Sequence, residues 1–167
     1  MTKCMLFLFV ASSVLFSCSS DKDENSGDDS SNIVGTWDAT ELRINNDTAS
    51  DEAKFGSQIL EVLTRENCFI ITLQFNDDLS AVASNAANYV EVNVNATGSG
   101  LDVPCPTESD SESSTYTYDG SIVSIVDANG QTIEVSVSID GDIMTVNAAD
   151  LEIPNFNDSG QLIFSKR

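Results

Sequence analysis

The sequence predicts an all-β fold, an antiparallel up-and-down barrel of about eight strands with one short helix. From residue 68 onward the chain consists largely of short segments in which apolar and polar residues alternate, as they do in half-buried strands. Tight turns separate several of these segments, notably Asp119-Gly120, Ala128-Asn129-Gly130 and Asp140-Gly141. Such connections are too short for parallel crossovers, so neighbouring strands are expected to be antiparallel. Eight antiparallel strands can close on themselves and leave no exposed edge.

The amino-acid composition argues against two classes of function, nucleic-acid binding and histidine-based catalysis. The 167 residues suit one domain, and 7 Lys plus Arg against 27 Asp plus Glu give a formal net charge of −20. This acidity argues against a nucleic-acid partner, because phosphate binding requires a basic patch, although solubility alone also explains it. The chain has no histidine, which removes His-based nucleophilic catalysis and the commonest zinc ligand. We therefore expect no enzyme activity, no metal and no cofactor.

Residues 1–17 are predicted to be a lipoprotein signal peptide. Lys3 is followed by an apolar run over residues 4–16, which is too short to span a bilayer. Leu15-Phe16-Ser17-Cys18 then resembles a bacterial lipobox, with a small residue directly before the cysteine. Cleavage there would make Cys18 the N-terminus, and several acyl chains of the palmitate type would anchor it firmly in a membrane. An ordinary secretory signal followed by an unrelated cysteine is the alternative.

Residues 18–32 are predicted to form a lipidated, disordered, acidic tether. After Cys18 this segment holds no apolar side chain, so it cannot bury enough surface to offset the entropy of ordering. The run Asp21-Lys22-Asp23-Glu24 resembles the export signal that sends lipoproteins of Bacteroidetes-type bacteria to the outer leaflet of the outer membrane. It predicts a surface-exposed outer-membrane protein, with a plain acidic spacer as the alternative.

The folded domain is predicted to cover residues 33–167. It begins with a strand over 33–44, which Asn45-Asn46-Asp47 ends, because these residues favour turns. A helix is predicted over 50–66, with Ser50 capping its first amides. This helix either covers an open end of the barrel or packs along the sheet, and the second is the simpler expectation. Its apolar stripe consists of Phe55, Ile59, Val62 and Leu63.

Alternation and turn residues predict the remaining elements. The two Asp-Gly pairs predict type I′ turns, which need positive φ at both central residues. Residues 98–114, in which two prolines flank Cys105, are predicted to be a long surface loop where binding determinants can lie. The predicted strands cover 68–76, one or two segments of 79–95, the hairpin segments from 115 onward and 161–167, with a loose link at 150–160 that holds Pro154.

Two cysteines remain once Cys4 leaves with the signal and Cys18 takes lipid. Cys68 and Cys105 would then face an oxidising compartment, where they are expected to form a disulfide. Closing this loop is expected to contribute about 3–4 kcal/mol in the chain-entropy model. Two free buried thiols are the alternative.

Several motifs together resemble the lipocalin-like domains of Bacteroidetes lipoproteins. These are Gly35-Thr36-Trp37 on the first strand, the early helix-bearing insertion, the Tyr-x-Tyr-Asp-Gly hairpin and the closing Lys-Arg. The resemblance implies that Trp37, with Gly35 before it, plugs the closed end of the barrel, and that Arg167 packs across the indole as a cation–π partner. Asp47-Thr48-Ala49 resembles the O-glycosylation site of the same bacteria, with Thr48 as the acceptor.

The resemblance also implies that a small apolar molecule binds inside the barrel. An eight-stranded barrel is only wide enough to fill with side chains or to hold one small ligand, so a filled core remains open. The inward-facing candidates for lining such a site are Phe69, Ile71, Leu73, Phe75, Tyr116, Tyr118, Ile133, Val135, Val137 and Ile139.

Two other functions compete with ligand binding. The first is an interaction protein with a packed core, whose acidic loop 98–114 binds a protein partner. The second, less favoured, is a glycan-binding or glycan-processing module that uses paired carboxylates, with Glu41 as the acid to consider. In every case the expected membrane contact is the lipid anchor, and a monomer is expected.

Overall fold

The structure is a computed structural model that describes residues 30–95, 98, 100–127, 129–151 and 159–167. The predicted signal peptide, the lipidation site Cys18, the tether as far as residue 29, and Pro154 all lie outside the described residues.

Within the described residues the chain forms ten strands and two α-helices, joined by turns and two short 3₁₀ segments at Ala87–Tyr89 and Ala148–Leu151. In chain order the helices and strands are α1 (Ser30–Ile33), β1 (Gly35–Ile44), α2 (Asp51–Arg65), β2 (Ile71–Phe75), β3 (Ser80–Asn85), β4 (Asn93–Val94), β5 (Leu101–Asp102), β6 (Asp110–Tyr118), β7 (Ile122–Val126), β8 (Thr132–Asp140), β9 (Ile143–Asn147) and β10 (Gly160–Lys166).

Eight of the strands close into a barrel in the order β1-β10-β9-β8-β7-β6-β3-β2. Every pair of neighbours in the barrel is antiparallel, and each strand lies beside the next barrel strand in the sequence. The short strands β4 and β5 form a separate hairpin inserted between β3 and β6. The predicted fold class, an eight-stranded antiparallel barrel with a helix, is confirmed. The one-turn helix α1 is an addition that the sequence pattern did not indicate.

Pairing of β1 with β10 closes the barrel. Ala39 lies opposite Phe164, and Leu42 lies opposite Leu162, with a register shift between Ala39 and Glu41. All four of the apolar residues in these two pairs are buried. The extra residue at the shift re-aims the strand, so that Leu42 rather than Glu41 continues the inward face.

The helix α2 begins at its predicted cap and packs against β1. The Ser50 hydroxyl accepts a hydrogen bond from the Ala53 amide at 3.1 Å, and the Ser57 hydroxyl donates to the Leu42 carbonyl at 2.9 Å. That contact turns Leu60 toward the core and leaves Phe55 44% exposed, which corrects the predicted stripe. The buried residues of α2 are Ala53, Ile59, Leu60 and Leu63.

Two local predictions are wrong. The long loop is shorter than residues 98–114, because Asp110 to Ser114 pair with β3 as the start of β6. This part of β6 is exposed and polar, so it lacks the apolar alternation that marks a half-buried strand. The Asp-Gly turns are not type I′, since Gly120 and Gly141 have positive φ but neither preceding aspartate does.

Candidate functional site

One end of the barrel, which we call the closed end, is plugged by Trp37. Its side chain is fully buried, and Nε1 donates to the Ile33 carbonyl at 2.7 Å. The Lys166 ammonium lies 5.1 Å from the centroid of the indole ring and donates to the Asn32 carbonyl at 3.0 Å. Gly35 has φ +137°, and a Cβ there would meet Lys166 Cε at 2.6 Å. The backbone of α1 and the last residues of β10 therefore complete the plug.

The partner of Trp37 is Lys166, which corrects the expected role of Arg167. The register places Lys166 directly opposite Trp37, so these two side chains share the inward face. Arg167 follows on the other face, where its Nη2 and Nε donate to the Asp38 carboxylate at 2.7 and 2.8 Å. Its guanidinium carbon lies 5.9 Å from the centroid of the Phe69 ring.

Asp38 is the centre of a small polar cluster on the outer face of β1. It is 3% exposed and also accepts a hydrogen bond from the Thr72 hydroxyl at 2.8 Å. The hydrogen bonds and charge of Asp38 raise the pKa of Arg167. A buried carboxylate requires such partners because its desolvation is costly, so this cluster has a structural role.

The interior of the barrel holds a cavity of about 490 Å³. It reaches the surface at the end opposite Trp37, where the apolar lining residues Val126 and Ile133 are 44% and 41% exposed. We call this end of the barrel the open end. The lining is mainly apolar and comes from Ile71, Leu73, Phe75, Ala81, Val82, Ala83, Val123, Ile125, Val126, Ile133, Val135, Val137, Met144, Val146 and Leu151.

The cavity lies to one side of the barrel. Its strand residues belong to β2, β3 and β6 to β9, which we call the hollow side, and none of its described lining residues belongs to β1, β10 or α2. Along β1 and β10, the packed side, Trp37, Phe164 and Leu162 are almost completely buried. These large side chains fill the interior on the packed side, whereas the interior on the hollow side remains empty.

The structure divides the predicted ligand-lining residues into two groups. Ile71, Leu73 and Phe75 line the cavity, as do Ile133, Val135 and Val137 from the wider inward set. The other predicted residues, Phe69, Tyr116, Tyr118 and Ile139, are absent from that lining.

The two tyrosines lie toward the closed end. The Tyr116 hydroxyl donates to the Asn76 carbonyl at 3.1 Å, and its ring meets Phe75 edge to face at a centroid distance of 4.9 Å. The Tyr118 hydroxyl donates to the Gly120 carbonyl at 2.8 Å. Tyr116 therefore supports the cavity wall through Phe75 rather than lining the cavity itself.

Three acidic residues at the open end, Glu112, Asp127 and Asp150, belong to the cavity lining, and we call them the acidic rim. On β6, Glu112 shares a face with Tyr116, which is buried, so Glu112 stands on the inward face of its strand. None of the described lining residues is Lys or Arg. Sequence reasoning missed this rim because Glu112 lay in the supposed loop, Asp127 beside a predicted turn and Asp150 in the predicted loose link.

Asp127 is fixed by its own turn. Its Oδ1 accepts hydrogen bonds from the Gln131 amide at 2.7 Å and the Asn129 amide at 2.9 Å. The bond from Gln131 is the main reason that the pKa of Asp127 lies below its usual value. Hydrogen bonds to the charged form favour it, so Asp127 is a carboxylate at neutral pH.

The predicted disulfide between Cys68 and Cys105 is confirmed, with a Cα–Cα distance of 5.8 Å. It ties the connection after α2 to the loop before β6. A second tie joins the same region, because the Tyr89 hydroxyl donates to Asp110 at 2.8 Å. That hydrogen bond to the carboxylate raises the pKa of Tyr89. The loops at the open end are therefore cross-linked to the barrel.

Two other predicted residues lie away from the cavity lining. Glu41 is exposed and forms an ion pair with Arg43 at 2.9 Å. Thr48 is exposed in the turn between β1 and α2. Over the part of the chain that the structure describes, no three His, Cys, Asp or Glu side chains are grouped to hold a metal ion. Helices long and apolar enough to cross a bilayer are likewise lacking from that part.

Comparison of the chain with protein-family models, curated proteins and solved structures finds no match in any of the three. The class of the protein is therefore defined by its fold and cavity: an eight-stranded antiparallel barrel, plugged at one end and hollow toward the other.

Proposed function

We propose that the protein binds one small apolar molecule in the barrel cavity and has no catalytic role. The observation that carries this proposal is the apolar cavity of about 490 Å³, which opens at one end of a closed barrel. Its size lies within the range of about 300–1,000 Å³ that is typical of small-molecule sites. Apolar cavities in proteins favour apolar guests because water finds few polar partners in them.

The test uses a neutral fluorescent dye, N-phenyl-1-naphthylamine, whose emission rises in apolar surroundings. The purified chain carries Cys18→Ser, so that no lipid is attached and no detergent competes for the cavity. We expect saturable binding of one dye per chain.

Two phenylalanine variants locate the bound dye. Ala83→Phe extends an aromatic ring from an exposed side chain in the cavity lining, so it should weaken binding by occupying part of the space. Ser136→Phe is the matched control, because Ser136 is exposed on β8 and alternates with the lining residues Val135 and Val137. Equal dye binding by both variants, or none by the parent chain, would contradict the proposal.

We further propose that the protein is a monomer held at the outer membrane by lipid on Cys18 and exposed at the cell surface. The lipobox-like Leu15-Phe16-Ser17-Cys18 and the acidic run after it support this location. Labelled palmitate should be incorporated by the parent chain but not by Cys18→Ser. Protease treatment of intact cells should remove the protein, and a protected protein would contradict surface exposure.

An interaction protein remains the second candidate. The observation that favours it is the β4–β5 hairpin, where Val94 lies opposite Leu101 and the two are 70% and 47% exposed. The hypothesis of an interaction protein assumed a packed core, and the cavity counts against that assumption. The glycan alternative loses support, because Glu41 points away from the barrel interior and is paired with Arg43.

A further inference from the structure

We propose that the molecule held in the cavity is a cationic amphiphile, an apolar body carrying one ammonium group that sits at the acidic rim. This inference rests on the proposed function and adds the chemical class of the ligand. It follows from the distribution of charge around the cavity rather than from the cavity alone.

The acidic rim offers negative charge that is not already neutralised. Glu112 and Asp150 line the cavity, and neither takes part in any ion pair among the described residues. Asp127 completes the rim, and its hydrogen bonds from the turn backbone leave it charged. An ammonium group at the mouth would therefore meet carboxylates without displacing a protein cation.

The five Lys and Arg residues that the structure describes are engaged away from the cavity lining. On α2, Lys54 pairs with Asp51 and Arg65 with Glu61. Arg43 pairs with Glu41 on the face of β1 opposite the inward Leu42. These three pairs lie on elements that contribute nothing to the described cavity lining.

The other two described cations stand at the closed end. Lys166 lies over Trp37, and Arg167 is bonded to Asp38. Among the described residues, therefore, the charged side chains that line the cavity are all acidic, and no cation stands among them. A carboxylate ligand such as a fatty acid would lie beside like charges without a cationic partner, which opposes its binding.

Glu112 differs from the acidic residues on the outside of the barrel because it lies on the inward face of its strand. Acidic residues on the outside of a barrel promote solubility and need no ligand. Glu112, however, lies opposite Ala83 across the β3–β6 pair, and both residues line the cavity. A charge at this position faces whatever enters the cavity.

The test compares three ligands with the same nine-carbon chain: nonylammonium, nonan-1-ol and nonanoate. Each displaces N-phenyl-1-naphthylamine from the purified Cys18→Ser chain at low ionic strength. We expect nonylammonium to bind tightest and nonanoate weakest, and we expect the advantage of nonylammonium over nonanol to shrink as salt is added.

Charge-removing variants locate the interaction. Glu112→Gln should weaken nonylammonium about fivefold, the effect of one unit charge at contact in water, while leaving nonanol unchanged. Asp150→Asn should act in the same direction. The matched control is Glu134→Gln, because Glu134 is exposed on β8 between the lining residues Ile133 and Val135. It carries the same charge but faces outward.

Failure of this inference differs from failure of the proposed function. If nonanol binds as well as nonylammonium, the charge preference is wrong and the apolar site stands. If nonylammonium binds tightest but Glu112→Gln and Asp150→Asn leave its affinity unchanged, the assignment to the rim is overturned. If neither the dye nor any of the three compounds binds, the proposed function fails and this inference with it.

Discussion

The packed side and the hollow side belong to the same closed barrel, yet one is solid and the other is not. On the packed side, Trp37 and Phe164 are both 0% exposed. On the hollow side, the corresponding positions of β3 hold Ala81 and Ala83, which face Phe75 and Leu73 across the strand pair. Eight strands permit either outcome, so the volume of the inward side chains decides which one occurs.

The largest expected effect compares one substitution on the two sides. Leu162→Ala, on the packed side, should lower the free energy of unfolding by about 3–4 kcal/mol, because it leaves a void among tightly packed atoms. Leu73→Ala, in the cavity wall, should cost about 1–2 kcal/mol, because part of the leucine already faces empty space. Urea denaturation followed by circular dichroism measures both. Equal losses would mean that the cavity wall is packed as densely as the rest.

The disulfide gives the next largest effect. Replacing Cys68 and Cys105 together by serine should cost about 3 kcal/mol, because the unfolded chain gains the freedom of an opened loop. Reduction of the parent chain should give the same unfolding midpoint as the double variant, which serves as its control. An unchanged midpoint would contradict a stabilising role for the disulfide.

Two arginine–carboxylate pairs with similar distances provide a smaller contrast. Arg167→Ala should cost about 1–2 kcal/mol, since it leaves the buried Asp38 with only Thr72, although the exposed guanidinium limits the loss. Arg43→Ala should produce no measurable change in the unfolding midpoint, because Glu41 is solvated without it. Equal effects of the two variants would contradict a special role for the buried carboxylate.

The smallest expected effect is a pH dependence of stability. It comes from two aspartates that lie in turns, one at each end of the barrel. Hydrogen bonds from the Ile122 and Gln131 amides, respectively, lower the pKa of Asp119 and Asp127 from the usual 3.8. The unfolded chain therefore binds protons more readily, so the stability from these groups is present above pH 4 and is lost as pH falls through their lowered pKa.

The unfolding midpoint in urea should consequently fall as the pH is lowered from about 5 to about 2. Asp119→Asn and Asp127→Asn keep the turn acceptors but remove the charge, so each should flatten this dependence. Asp142→Asn is the control, because the Asp142 carboxylate accepts no hydrogen bond from the described residues. A slope that none of the variants changes would assign the acid sensitivity to other groups.

Periodic patterns predicted the barrel well because alternation and tight turns are local properties of a chain. Ser50 and the turn at 45–47 placed α2, and the elimination of two cysteines paired Cys68 with Cys105. The start of β6 was missed because its inward residues, Glu112 and Ser114, are polar. Alternation reports burial, and a strand that lines an open mouth is not buried.

Sequence reasoning placed Arg167 over Trp37, whereas the structure has Lys166 there. The cause of this error differs from the one that affected β6. Whether Lys166 or Arg167 faces the indole depends on the register between β1 and β10, which is set by closure of the whole barrel. The cavity could not be predicted for the same reason. Its volume depends on which small residues of β3 face which residues of β2, and no stretch of sequence shows that.

Both ends of the described barrel chain meet at the plug, and this has a consequence for orientation. The Arg167 amide donates to the Thr36 carbonyl at 2.8 Å, so the first and last strands share the closed end. A lipid attached upstream of α1 would therefore tether the molecule from its sealed base. The mouth opens at the opposite end of the barrel, so a guest would enter the cavity without passing the point at which the chain enters the barrel.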